Sequence, residues 1–308
     1  MMRAILSRVL ASLAVVLGAI TLIFVILHGL PGDAATLIAG DASPEVVDRL
    51  RTQLGSDRPL REQYVEYLSG LLQGDLGRSF VTKEPVADRL MAQFPSTLAL
   101  ASSSALVALV LGLALGVLSA RMRGRWFDQL LQVVSLGVGS VPPFWLGILA
   151  IMLFSVQLRW LPVIGDGGVR GLIMPVACLG VVVALHLSRL VRAGMLETLH
   201  EPFVTTLHAK GLAERRIFYV HVLRNVLVVA LTLLSVLFGE LLSGTVVMET
   251  LFARQGVGRL AVEAISQKDL PVVQGAILVA SVCYVSINLL VDVCYALIDP
   301  RVALKGAR

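Results

Sequence analysis

The chain has 308 residues, 56% of them hydrophobic and 15% charged, with a mean hydropathy of +0.84 and a formal net charge of +5. That apolar fraction lies above, and the charged fraction below, the range of ordinary soluble domains, which excludes a water-soluble globular protein. The basic excess therefore reads as a topology signal at a membrane and not as a nucleic-acid footprint.

A hydrocarbon core of about 30 Å needs roughly 20 apolar residues per helix. Six segments meet or approach that length: 9–27, 97–120, 130–158, 172–190, 226–248 and 272–298. The first follows Arg3 and Arg8 like a signal peptide, but its apolar run exceeds the roughly 7–15 residues of a secretory h-region, so it reads as a retained anchor. Counting Lys and Arg near the span ends gives fourteen in the proposed cytoplasmic parts and five in the two short exported loops, which places both termini in the cytoplasm.

Residues 28–93 carry seven basic and ten acidic residues, and the spacing predicts a small exported subdomain. Turn chemistry runs from Leu54 through Gly55, Asp57 and Pro59, and leucines and tyrosines from Leu60 to Leu72 recur at helical spacing, predicting an amphipathic helix that ends at Gly74. Such a subdomain either caps the helices below it or meets an extracellular partner.

Within the spans, Gly112 and Gly116 form a GxxxG in the second, where small residues let helices approach. Val141, Pro142, Pro143, Phe144 and Trp145 break the third, because each proline removes a backbone donor; the break is either a kink or the wall or gate of a pathway. Glu240 and Asp292 are the acids well inside the spans, where a charge at the bilayer centre costs roughly 2.5–3.5 kcal/mol, so each must face protein or water. Asn288 shares a helix face with Asp292, in keeping with local packing, while Glu240 suits helix packing, contact with another subunit, or a cationic substrate group.

Between the fourth and fifth spans, residues 203–225 read FVTTLHAKGLAERRIFYVHVLRN. Gly211 divides this segment, and apolar Phe203, Leu207, Leu212, Ile217 and Phe218 alternate with Lys210, Arg215, Arg216 and Arg224. A helix-turn-helix there offers hydrophobic knobs with a cationic rim to another protein; the plainer alternative is a basic loop that only fixes topology. Arg189 and Arg192, at the end of the fourth span, either support this loop or engage lipid phosphates.

No sequence pattern for catalysis occurs. A G-x-x-x-x-G-K-[ST] phosphate cradle, an HExxH and a GxSxG are all missing, and Val163 replaces the first glycine of a GxGD motif at Gly165-Asp166. Cys178, Cys283 and Cys294 include no CxxC, and the five histidines lack metal-ligand spacing, so neither a zinc site nor a disulfide framework is expected. The chain reads as no enzyme, with no catalytic and no metal-binding residues.

Several motifs, in order, resemble one family. They are Leu30-Pro31-Gly32-Asp33-Ala34; Leu54-Gly55 with Asp57-Arg58-Pro59-Leu60 and Gln63-Tyr64; Gly74-Asp75-Leu76-Gly77-Arg78-Ser79; Val141-Pro142-Pro143-Phe144-Trp145-Leu146-Gly147; Ala209-Lys210-Gly211-Leu212 with Leu223-Arg224-Asn225; Gly256-Val257-Gly258-Arg259-Leu260; and Asn288, Val291-Asp292, Tyr295 and Asp299-Pro300-Arg301. Over nearly its full length the chain resembles the permease subunit of binding-protein-dependent ABC importers of the dipeptide/oligopeptide/nickel type. The resemblance implies an all-α membrane protein with about six transmembrane helices, a MetI-like ABC permease fold, and an exported subdomain between the first and second helices. Domain limits on this basis are 1–28 for the N-terminal tail and first helix, 29–95 for the subdomain, 96–300 for the permease core with its coupling loop at about 196–225, and 301–308 for a cytoplasmic tail.

The same resemblance makes 203–225 the cytoplasmic EAA loop, which docks in a groove of an ATPase subunit. Phe203, Leu207, Ala209, Lys210, Gly211, Leu212, Arg224 and Asn225 are its candidate residues; Pro142, Pro143, Phe144, Trp145, Glu240, Asn288 and Asp292 are candidates for pathway or gate. Leu207 and His208 stand where the family usually has a small residue and an arginine, and Val229 replaces a frequent proline. Implied partners are a second related permease, as a heterodimer, two ATPase subunits that carry ATP and Mg, an extracytoplasmic solute-binding protein and the lipid of a bacterial inner membrane, with no nucleic acid and no cofactor on this chain. The implied mechanism is alternating access driven by the ATPases. Dipeptides or oligopeptides are the implied cargo, with nickel or a metal chelate as the alternative. A secondary transporter or channel is the competing class, and it predicts paired intramembrane charges and an inverted repeat.

Overall fold

The computed structural model describes residues 2–29, 34–39, 43–53, 55, 57–163 and 168–298. The motif residues 30–33, 54, 56 and 299–301, the 165–166 pair, the tail at 301–308 and the side chains of 291–298, Asp292 included, lie outside the described residues. Among the described residues no strand forms beyond one isolated antiparallel bridge between Arg78 and Pro85.

The helices are α1 (Met2–Gly29), α2 (Ala34–Ala39), α3 (Pro44–Gln53), α4 (Leu60–Leu72), α5 (Val86–Arg121), α6 (Trp126–Gly139), α7 (Pro143–Ala150), α8 (Arg170–Thr198), α9 (Pro202–Ala209), α10 (Glu214–Arg216), α11 (Leu223–Leu251), α12 (Val257–Ser266) and α13 (Leu270–Ile298). Two π-helical stretches, Ile151–Gln157 and Ile217–Val222, extend α7 and join α10 to α11. Five of the six predicted spans fall within single helices, and the third, 130–158, is interrupted at 140–142. Among the described residues, Val9–Gly29, Val86–Arg121, Arg170–Thr198 and Leu270–Leu290 are long and apolar enough to cross a membrane, and the pair Trp126–Gly139 and Pro143–Gln157 adds a fifth crossing if counted as one span. The predicted segment 226–248 lies within the 29 residues of α11.

The third span is two helices bent by 100°, a change of direction far beyond a kink. The cause is local. Pro142 precedes a proline, which disfavours the helical region, and it adopts φ −59° and ψ 137°; Pro143 then opens α7 at N1, where a missing N–H costs nothing.

The described residues within 1–8, 98–254 and 286–308 pack as one compact unit, and those within 9–97 and 255–285 as another. The segment between the first two spans thus packs with the first helix and with a later stretch of chain, a grouping that follows contact and not chain order.

In the second unit, α4 occupies the predicted Leu60–Leu72 and stops at Gln73 before Gly74, whose φ of +79° favours glycine. Tyr64 and Tyr67 hold α4 to α1. The Tyr64 and Thr21 hydroxyls share a 2.6 Å hydrogen bond, and Phe24 packs its ring 5.1 Å from Tyr64 and 5.8 Å from Tyr67. Burial, with Tyr64 beside it, pushes the Tyr67 phenol up to about 12, so it acts as a neutral packing group. A core of Val86, Leu90, Val257, Leu260, Ala264 and Val272 lies between α5, α12 and α13.

The Gly74–Ser79 motif is pinned to that core by an acid that sequence spacing does not single out. Asp269, 1% exposed between α12 and α13, accepts from Ser79 Oγ at 2.5 Å and from the Phe80 N–H at 2.9 Å, with Arg89 Nη1 at 3.6 Å. Removing a buried carboxylate that satisfies these donors leaves them unpaired. Asp269→Ala is therefore expected to cost about 3 kcal/mol and to open 74–85 to protease, checked by thermal unfolding and limited proteolysis in detergent.

In the first unit, α8 is the central helix, with Val183, Leu187, Val191 and Met195 buried against α5, α6, α7 and α11. Gly112 and Gly116 do what a GxxxG predicts. A Cβ at Gly116 would lie 2.7 Å from the Ser188 carbonyl oxygen and 2.7 Å from Val191 Cβ, so α5 and α8 touch backbone to backbone.

Candidate functional site

The loop after α8 is built by three local devices. Glu201 takes an extended conformation (ψ 144°), so that Pro202 opens α9 at N1. The helix α9 then ends in a Schellman motif: the Leu212 N–H donates to Leu207 O at 3.2 Å and the Gly211 N–H to His208 O at 2.9 Å, with Gly211 at φ +76°. Past the turn, the π-helical stretch buries Ile217 and Val222 and leaves Tyr219 and Val220 exposed.

This arrangement divides the predicted knobs. Ile217 is buried, and Leu207, Leu212 and Phe218 pack on the core beside Val204, a buried residue not among those knobs, where they anchor the loop and are not offered outward. Exposed at the surface are Phe203 (36%), Ala209, Lys210, Arg215, Arg216, Tyr219 and Arg224. The physical reason is that α9 is about two turns long, so that Val204 and Leu207, at i and i+3, share the face that packs while Phe203, Ala209 and Lys210 fall outside it. Phe203 and Asn225 line a cleft of about 360 Å³ with Glu197, Thr198 and Glu201. His208 Nε2 lies 2.8 Å from Glu214 Oε1 across the turn, giving the unusual histidine an intraloop partner.

A second polar centre stands behind the loop. Asp128, 2% exposed in the first turn of α6, accepts from Arg192 Nε at 2.6 Å and Arg192 Nη2 at 2.8 Å, from Ser119 Oγ at 2.5 Å and from the Gly124 N–H at 2.9 Å. Arg192 is thus bound within the protein, bidentate on a carboxylate. Asp128 sits just ahead of the predicted third span, where it reads as an ordinary loop charge.

Of the pathway candidates, Phe144 (45%) and Trp145 (48%) are exposed, Pro142 is exposed and Pro143 half-buried. Glu240 is exposed on α11, and Asn288 is half-buried on α13. The fully buried acid of α11 is instead Glu249, at 0% exposure beside the buried Arg254, one residue beyond the predicted span.

Residues 112–304 match the family described as binding-protein-dependent transport system inner membrane component, and residues 1–101 match its N-terminal companion. The chain belongs to this family of ABC importer permeases. A protein of Brucella suis biovar 1 (strain 1330) named as a peptide transport system permease is 42% identical, over 97% of this chain and 98% of its own. The glutathione transport system permease protein GsiC of Escherichia coli (strain K12) is 41% identical, over 92% of this chain and 93% of its own. A solved structure of the methionine ABC transporter MetNI, in an inward-facing conformation, superposes with a TM-score of 0.55 at 19% identity, covering 68% of this chain and 96% of that one, which shows the MetI-like permease fold. The permease is accordingly a multi-pass inner-membrane component, a class that works alongside ATPase and binding-protein partners and is not itself a catalyst.

Proposed function

We propose that this permease pairs with a second, related permease to form the pathway for short peptides delivered by an extracytoplasmic solute-binding protein, with two ATPase subunits docking from the cytoplasm. Both termini lie in the cytoplasm, the segment 29–95 faces the binding protein, and ATP and Mg reside on the ATPases. The observation that carries this reading is the α9 loop: a short helix fixed from beneath by Val204, Leu207, Leu212 and Ile217, presenting Phe203, Ala209 and Lys210 outward. A rigid, capped projection of this kind suits transmission of force better than a topology loop does. For the ATPases to drive alternation they must bind the outward-open and inward-open permease with different free energy, and the exposed face of α9 is where that difference arises. The peptide and glutathione names of the relatives favour short peptides as cargo.

The test is uptake into proteoliposomes holding both permeases, the ATPases and the binding protein, with labelled glutathione, di- and oligopeptides and nickel as separate substrates. ATP-dependent uptake of peptides but not nickel is expected. Lys210→Glu with Ala209→Glu is expected to cut co-purifying ATPase about 10-fold, since losing roughly 1.4 kcal/mol of docking energy changes affinity tenfold. Nickel uptake alone, or full ATPase retention by the double variant, overturns the cargo or the docking surface respectively.

A further inference from the structure

Two ties bind the turn between α5 and α6 to the two limbs of the α9 loop. On the entering limb, Arg192 lies six residues before the end of α8 and grips Asp128 through both carboxylate oxygens. On the returning limb, Arg121 Nη1 donates to Tyr219 Oη at 2.7 Å, with the guanidinium carbon 5.7 Å from the Tyr219 ring centre. Ser119, at the end of α5, and Gly124, in the turn at φ +75°, direct their donors at the same carboxylate. Four donors on a side chain that is 2% exposed make this a built junction and not a surface ion pair.

Beyond the junction, α6 runs 14 residues, a rod of roughly 20 Å, from Asp128 in its first turn to the Pro142-Pro143 break. A fork of two parallel hydrogen bonds resists rotation as well as separation, so a displacement of the end of α8 moves α6 with it.

Resting on the docking role proposed above, we infer that Asp128 is a positioning residue that relays the ATP-driven movement of the α9 loop into α6 and so to the broken third span. Arg192 is its direct input, and the Arg121–Tyr219 tie holds the end of α5, two residues from Ser119, to the same loop. The junction therefore sets how much transport each hydrolysed ATP yields, and has little part in whether the ATPases bind.

The experiment measures peptide uptake and ATP hydrolysis together in proteoliposomes of the complete complex, for Asp128→Asn, Asp128→Glu, Arg192→Lys and Tyr219→Phe. Wild-type amounts of co-purifying ATPase and near wild-type hydrolysis are expected. Uptake per ATP should fall about 10-fold in Asp128→Asn and Arg192→Lys and severalfold in Tyr219→Phe, with partial recovery in Asp128→Glu. A purely structural carboxylate would lower the yield of complex while the complex that remained kept its uptake per ATP, and that result overturns the relay. If Asp128→Asn fails to assemble, Tyr219→Phe decides, because Tyr219 is 39% exposed and its hydroxyl is dispensable to packing; unchanged uptake per ATP in that variant overturns the relay. Wild-type complex without any ATP-driven uptake defeats the docking role itself, whereas a working wild type with unchanged variants defeats the relay alone.

Discussion

Gly116→Leu is expected to yield no folded permease. The first side-chain carbon would lie 2.7 Å from the Ser188 carbonyl oxygen, a backbone atom of the central helix that no rotamer change can move, and 2.7 Å from Val191 Cβ. Overpacking a core costs about 1–3 kcal/mol when side chains alone must shift, and more when two helix axes must part. Separation of α5 from α8 also uncovers Leu187 and Val191, at 0% and 1% exposure. Gly116→Ala should already lower the melting temperature in detergent. At Gly112 the nearest atoms belong to the Leu187 side chain, 2.9 Å away, so Gly112→Ala should be milder. Gly18 supplies the control: nothing lies within 4 Å of where a Cβ would sit, and Gly18→Ala should be neutral or gain about 0.5–1 kcal/mol from helix propensity. Size-exclusion profiles of the detergent-solubilised variants, followed by thermal melts, check the series. A monodisperse Gly116→Leu with a wild-type melting temperature would show that α5 and α8 do not meet at this glycine.

Gly211→Val is expected to leave the protein folded but to separate it from its ATPases. The residue holds φ +76° with open space around it, so the penalty is conformational and not steric crowding by neighbours. A left-handed conformation costs an L-residue roughly 1–2 kcal/mol, and more for a β-branched one. If the turn relaxes, the Leu212 N–H loses its bond to Leu207 O, and α9 loses the cap that fixes its exposed face. A penalty near 2 kcal/mol reduces the docking-competent loop about 30-fold, and ATP-driven uptake should fall accordingly. Gly211→Asn, which tolerates the same region, should keep most of the activity. Co-purified ATPase and uptake, measured together for both variants, check this. Equal, full activity in Gly211→Val would show that the cap does not govern docking.

Much of the architecture is visible in local sequence because it rests on local physics. The apolar run lengths mark where helices cross, since lipid cannot satisfy a backbone polar group. The Leu60–Leu72 periodicity marks α4, which ends two residues before the expected stop at Gly74. The consecutive prolines mark the break in the third span, since a residue before proline is disfavoured in the helical region, and Gly211 marks the end of α9, since the motif there needs a positive φ. The ordered motifs identify the family as well.

Tertiary structure alone decides which charges matter and which apolar residues face out. Arg192 and Asp128 are 64 positions apart, and Ser79 and Asp269 are 190 apart; no periodicity connects such pairs, because a buried carboxylate finds its donors only when distant helices pack. Glu240 and Glu249 look alike on one helix, yet the first is exposed and the second buried, a difference set by which face of α11 is covered at each point along it. The loop's leucines follow the same rule. Leu207 and Leu212 have the composition of knobs for a partner, and the turn at Gly211 folds them onto the chain's own core, so that hydrophobicity specifies burial while only the fold specifies against what.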